Sequence, residues 1–215
     1  MYANNSSTST WKKLVLFAEV SGARTIRHVR KAGIASILRA IGEVYYSKSD
    51  YAHALDYLER TLQLVEELGD RPGVVATRYD IGLVQFAMAN YSRALDFYLI
   101  SLKIAEELNH VADIRRLLPD IASAYVAQGD LTNALVYSQR NLKLAQSRGK
   151  SEEIAVALRN VGLIHGRLCN YAQAVDYFRQ SLVLATALKD KKLRRLLLDD
   201  IGGARRLQQK VTDIP

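Results

Sequence analysis

Ile41 to Leu62 reads IGEVYYSKSDYAHALDYLERTL, and its key positions return every forty residues without an insertion. Ala54, Ala94, Ala134 and Ala174 form one column. Gly42, Gly82, Ala122, Gly162 and Gly202 form another, each preceded by Ile or Val: Ile41, Ile81, Ile121, Val161 and Ile201. Tyr51, Tyr91, Leu131 and Tyr171, then Tyr57, Phe97, Tyr137 and Tyr177, then Leu62, Leu102, Leu142 and Leu182 complete the register. A fixed period of this length is the mark of a repeat architecture, in which each unit buries its apolar face only against its neighbours.

Within a unit the apolar spacing is helical. Ile34, Ile37, Leu38, Ile41 and Tyr45 make one stripe, and Tyr51, Ala54, Leu55, Leu58, Leu62 and Val65 make the next. The spacing predicts alternating helices, A near 34–48 and B near 51–68. Ser49-Asp50, Ala89-Asn90, Gly129-Asp130 and Cys169-Asn170 supply turns whose Asp or Asn can cap the B helix. Gly69 is placed to close a B helix and Pro72 to open the next A helix. Small residues at the columns of 42 and 54 allow two helices to approach closely, which gives their twelve-residue offset a packing reason.

This offset, with an aromatic residue at Tyr45, resembles the tetratricopeptide repeat family, whose motif runs Leu-Gly, an aromatic three later and Ala twelve after the Gly. The common unit of that family is about 34 residues. The longer unit here is similar to that of Pins-type spindle-orientation adaptors and many bacterial signalling proteins. The resemblance implies an all-α, right-handed superhelix of antiparallel helix pairs. It divides the chain into an N-terminal segment with a degenerate capping helix (1–30), four repeats (31–70, 71–110, 111–150, 151–190) and a C-terminal capping helix with tail (191–215). Residues 11–30 fall in the register of a B helix, and 191–207 read as a fifth A helix.

A stack of this kind is expected to bind a peptide or partner helix along the A helices. The resemblance implies a concave face carrying Arg39, Glu43 and Tyr46, then Tyr79, Asp80 and Phe86, then Arg116 and Asp120, then Arg159 and Asn160, with Ala40, Leu83, Val126, Leu163, Asp199, Asp200 and Arg206 in the same columns. Arginine, carboxylate and aromatic residues together suit a mixed-charge or amphipathic peptide. Two carry-overs fail. The carboxylate clamp of chaperone-binding members needs asparagines where Glu43 and Asp80 stand, and the Pins-type Asn after the motif Gly is replaced by Glu43, Leu83, Ser123 and Leu163. Pro119 falls inside the third A helix and predicts a kink or restart there.

Composition narrows the alternatives. The 215 residues are 49% apolar and 24% charged, enough for a core. The single cysteine, Cys169, forbids an intramolecular disulfide and fits a reducing, cytoplasmic setting. The apolar run Leu14–Ala18 stops at Glu19, too short for a membrane span. His28, His53, His110 and His165 are scattered, and His165 falls in the aromatic core column of Tyr45 and Tyr125. With no HExxH, GxSxG or P-loop pattern, neither an enzyme nor a metal or cofactor is expected. The net charge of +8 gathers at the ends, +5 over residues 1–31 and +4 over 189–215. Nucleic-acid binding through these ends is the least favoured reading, because the repeated columns mix Asp and Glu with Arg. A second expectation is a sensory or regulatory segment of a larger signalling protein, self-associating or docking through its terminal helices by apolar residues such as Leu196 and Leu197.

Overall fold

The computed structural model describes the backbone of residues 6–212 and side chains from residue 25 to 211; all nine elements found there are α-helices. They are α1 (Ser6–Ser47), α2 (Tyr51–Leu68), α3 (Arg71–Ala87), α4 (Tyr91–Glu107), α5 (Val111–Gln128), α6 (Leu131–Arg148), α7 (Ser151–Arg167), α8 (Tyr171–Ala187) and α9 (Lys191–Thr212). The first compact unit is Met1–Val84 and the second Gln85–Pro215. In the first, α1 packs on α2; in the second, each helix from α4 to α9 packs on the next.

The turns are as periodic as the helices. One residue at each junction adopts the left-handed conformation, at Ser49, Gly69, Ala89, Asn109, Gly129, Gly149, Cys169 and Lys189, so one falls every twenty positions. Five of the eight are not glycine, so side-chain strain of about 1 kcal/mol or more at each is outweighed by the packing that fixes the spacing. Capping chemistry is selective. Asp50 accepts from the His53 backbone N–H and Asp130 from that of Asn133, whereas Asn90 and Asn170 make no side-chain cap. The Asn90 amide instead donates to Gln85 Oε1 at 3.0 Å.

Two expectations need correction. Residues 11–30 do not form a separate B-type helix: the backbone runs unbroken through α1, 42 residues long, into the first A helix. The third A helix does not restart at Pro119, because α5 continues from Val111 to Gln128 with Leu117, Leu118, Ile121 and Ala122 all buried. Burial of that stripe on both flanks of the proline holds the helix together despite a missing backbone hydrogen bond.

The small-residue column works by close contact. A Cβ at Gly42 would lie 2.9 Å from Leu58 Cγ and 3.4 Å from the Ala54 carbonyl oxygen; at Gly162 it would lie 2.6 Å from Phe178 Cε1 and 3.2 Å from the Ala174 carbonyl oxygen. Beside it runs an aromatic column in which Tyr45 stacks on Tyr57 (5.5 Å between centroids), Tyr125 on Tyr137 (5.5 Å) and His165 on Tyr177 (5.3 Å). His165 is therefore a packing residue. It is buried, and its Nδ1 finds no hydrogen-bond partner.

Gly162→Ala should lower stability by about 1–3 kcal/mol, because Phe178 must move. Gly202→Ala, whose Cβ would meet only Arg206 Nη1 at 3.5 Å, should raise it by up to about 1 kcal/mol through helix propensity; urea denaturation of both variants checks the contrast. Burial pushes the His165 imidazole below its ordinary value of 6.5. The folded chain thus resists a proton that the unfolded chain accepts, and this contribution is complete above about pH 6.5 and declines as pH falls below it. His165→Tyr, matching Tyr45 and Tyr125, should reduce the loss of melting temperature between pH 7.5 and 5.5 relative to wild type.

Candidate functional site

Two neighbouring pairs of A helices, α1 with α3 and α7 with α9, are tied by ion pairs that form the rungs of a ladder. Arg39 Nε donates to Asp80 Oδ2 at 2.6 Å, and Arg159 Nε donates to Asp200 Oδ2 at 2.7 Å, both across 41 residues. Arg39 Nη2 also lies 3.4 Å from Glu43 Oε1. These half-buried pairs engage residues expected to meet a ligand. Tyr79 is buried; Tyr46 packs against the Tyr51 ring at 6.1 Å, and Phe86 meets Tyr91 edge-on at 5.4 Å. Arg116 donates to Asp113 Oδ1 at 3.2 Å, and Asp120 is half-buried on the same helix.

The ladder breaks at one place in the second unit. Asn160 occupies the column of Asp80 and Asp200, and the residue one repeat back, where Arg39 and Arg159 stand for the other two, is Pro119. Proline has no side-chain donor, and no hydrogen bond engages the half-buried Asn160 amide. Three further columns change in the same repeat. Ser138 replaces Leu58, Tyr98 and Phe178; Ala122 stands in the column of Gly42 and Gly162, which Leu58 and Phe178 cover; and Asn141 replaces Thr61, Ser101 and Ser181. The hydroxyls of that last column are satisfied on backbone carbonyls, Thr61 on Tyr57 at 2.8 Å, Ser101 on Phe97 at 2.9 Å and Ser181 on Ala155 at 2.6 Å. The Asn141 amide makes no such bond.

All these departures line a single cleft of about 250 Å³. Pro119, Ala122, Ser123 and Val126 come from α5, Ser138 and Asn141 from α6, and Asn160, Leu163, Ile164 and Arg167 from α7. Ala122 and Ser138 together lack the volume of a glycine–phenylalanine pair such as Gly162 and Phe178, which leaves the space open. Its volume lies just below the roughly 300–1,000 Å³ of small-molecule pockets and suits one or two side chains of a peptide. Two amides with no bond inside the protein, each able to donate and accept, face an apolar surface of Pro119, Val126, Leu163 and Ile164.

Of the ten residues expected on the ligand face, the cleft includes Asn160; Val126 and Leu163 join it from the same columns, while Arg39, Asp80 and Arg159 serve the ladder. Leu197 was expected to be exposed and is instead fully buried with Phe178, Ile201 and Ala204, because its turn of α9 faces α8; Leu196 is exposed. Among the described residues no group of three or more His, Cys, Asp or Glu is arranged to hold a metal ion, and no helix is long and apolar enough to cross a membrane.

Helix pairs repeated every forty residues, with no other secondary structure among the described residues, define an all-α solenoid scaffold. The tetratricopeptide repeat family model matches residues 33–107 and 113–187, well over half of the chain, and the chain belongs to that family. No curated protein matches the sequence. Among solved structures, the chain is similar to the apo form of RapI (21% identity, TM-score 0.71, 78% of this chain and 46% of that one). It is also similar to a signal-transduction ATPase with a tetratricopeptide repeat sensor from Pyrococcus horikoshii (16%, 0.73, 79% and 26%). A third is a Rap protein complexed with competence and sporulation factor (15%, 0.64, 82% and 52%). At these identities the likeness is one of fold, and the chain spans about half of the Rap proteins and about a quarter of the ATPase.

Replacing Pro119→Arg together with Asn160→Asp should rebuild the missing rung. Removing an interior proline worth about 3 kcal/mol and adding an ion pair worth about 1 kcal/mol or less should raise the unfolding free energy measurably in urea titration.

Proposed function

We propose that this chain is a protein-binding scaffold whose α5–α7 cleft captures a peptide segment of a partner. The observation that carries the reading is the convergence of four column departures, at Pro119, Ala122, Ser138 and Asn141, on one cleft that also holds Asn160. Each departure gives up something the other repeats have: a rung, a glycine contact, a core side chain or a satisfied hydroxyl. A protein gains from such losses only where another molecule restores them. An apolar ligand side chain would enter over Val126 and Leu163, and the Asn141 and Asn160 amides would each grip a backbone N–H and C=O, a mode that tolerates sequence variation around an apolar anchor. The similar Rap structure with competence and sporulation factor bound supports partner capture by this helical arrangement. The single cysteine suits a reducing cytoplasmic setting for that role.

The test is a selection of random twelve-residue phage-displayed peptides on the wild-type chain, followed by titration of the winners against two variants. Ala122→Gly with Ser138→Phe copies the Gly162 and Phe178 pair and fills the cleft without new chemistry. Asn141→Ala with Asn160→Ala removes the amides. Selected peptides should share an apolar anchor and bind each variant at least about tenfold more weakly, a loss of about 1.4 kcal/mol. Unchanged affinity in the filled variant would rule out the cleft as the site.

A further inference from the structure

α9 stands in the register of an A helix, and no B helix packs across it among the described residues. In repeats 31–70 and 151–190 the column glycine is a seat: Gly42 receives Leu58, Gly162 receives Phe178, and the carbonyl of the alanine four residues before each lies alongside. Gly202 occupies the same column, and only Arg206 Nη1 comes near the place where a Cβ would stand. Leu198 completes this open face. Its counterparts in the same unit, Leu118 and Leu158, are buried, whereas Leu198 is 56% exposed.

The rim of the face is cationic. Helical spacing sets Lys191, Arg194, Arg195, Arg205 and Arg206 beside Leu198 and Gly202, all exposed, and the four arginines make no ion pair with any described residue. Of the two carboxylates on the helix, Asp200 is held by Arg159, and Asp199 pairs with none of these cations. Arg205 is the most informative of them. Its column holds Tyr45, Gln85, Tyr125 and His165 in the four repeats, and each of the three rings stacks on a B-helix tyrosine. A guanidinium at that place turns the B-facing contact from a ring stack into a site for a carboxylate.

We propose that this face of α9 docks an acidic amphipathic helix of a partner protein, which takes the place of a B helix. The docking helix carries a small residue followed four positions later by Leu or Phe, the large side chain sitting on Gly202 and Leu198. Glu or Asp on its flanks meets Arg205 and the neighbouring arginines. A second copy of this chain does not fit as occupant through the same face, since two such faces bring like charges together. A phosphate backbone would use the arginines but leaves the Gly202 seat and Leu198 without a role. The surface is separate from the α5–α7 cleft, and its assignment does not rest on the function proposed for that cleft.

The probe is a fluorescently labelled peptide with the sequence of residues 171–188 carrying Gln173→Glu and Tyr177→Glu, held helical by a lactam from Asp176 to a lysine placed at Gln180. Its anisotropy is titrated with the full chain, beside a matched peptide with lysine at positions 173 and 177 and a labelled single-stranded oligonucleotide. The acidic peptide should bind one to one, at least about tenfold more tightly than the lysine peptide. Gly202→Leu, which the open space accommodates and whose helicity circular dichroism verifies, should weaken binding at least about tenfold by filling the seat. Arg205→Glu should invert the preference between the two peptides. Absence of saturable binding by the acidic peptide, equal affinity in Gly202→Leu, or capture of the oligonucleotide alone would overturn the proposal.

Discussion

Contact between a residue with no side chain and one with a large side chain is the constraint on which the repeats depend. Gly42 faces Leu58 and Gly162 faces Phe178 at distances that leave no room for even a methyl group. Because the A and B helices meet there at closest approach, their relative register is fixed, and the turns must deliver the chain back at the same phase each time. The left-handed residue every twenty positions follows from that demand, and it is met by serine, alanine, asparagine, cysteine and lysine as well as glycine. Side-chain identity at the turn is secondary to the geometry that packing imposes.

The second level of organisation joins one repeat to the next. The Arg39–Asp80 and Arg159–Asp200 pairs lie half-buried, where a lone charge would be costly to desolvate. A charged column on an A helix is therefore structural when the next repeat carries the complement. Where the complement is missing, as where Pro119 stands one repeat before Asn160, the polar side chain has no partner in that column. Steric and polar columns fail in the same repeat, which is why the opening is both roomy and polar.

The fold was legible because its signal is redundant: the Gly, Ala and aromatic columns, the turn dipeptides and the helical stripes all give one answer. The N-terminal boundary was not, since the B-helix register of residues 11–30 suggested a break that the continuous backbone of α1 does not make. The α5–α7 cleft was not legible from single columns. Composition along the A-helix columns highlighted arginines and carboxylates, but charges of opposite sign one repeat apart satisfy each other, and a single column cannot reveal that. The cleft instead required reading pairs of columns together. Ser138 opposite Ala122, and Pro119 before Asn160, are visible in the sequence as joint departures from the repeat, but only once contact geometry shows which columns touch. Leu197 illustrates the same limit, because leucine at three successive positions, 196 to 198, leaves the buried one to be chosen by the helix axis.

Repeat proteins derive stability from intrinsic units and nearest-neighbour interfaces, so an internal weak point has an outsized effect on cooperativity. The third repeat combines an interior proline with an underfilled contact, and backbone opening should begin there, with α7, α8 and α9 retaining their own core around Phe178 and Leu197. Amide exchange along the array would then be graded, fastest around α5 and slower in the flanking helices. Any molecule that fills the third repeat mends this fault line and couples the helices on its two sides into one cooperative block. Occupancy would thus be felt as mechanical continuity from α4 to α9, without either flank having to change its shape.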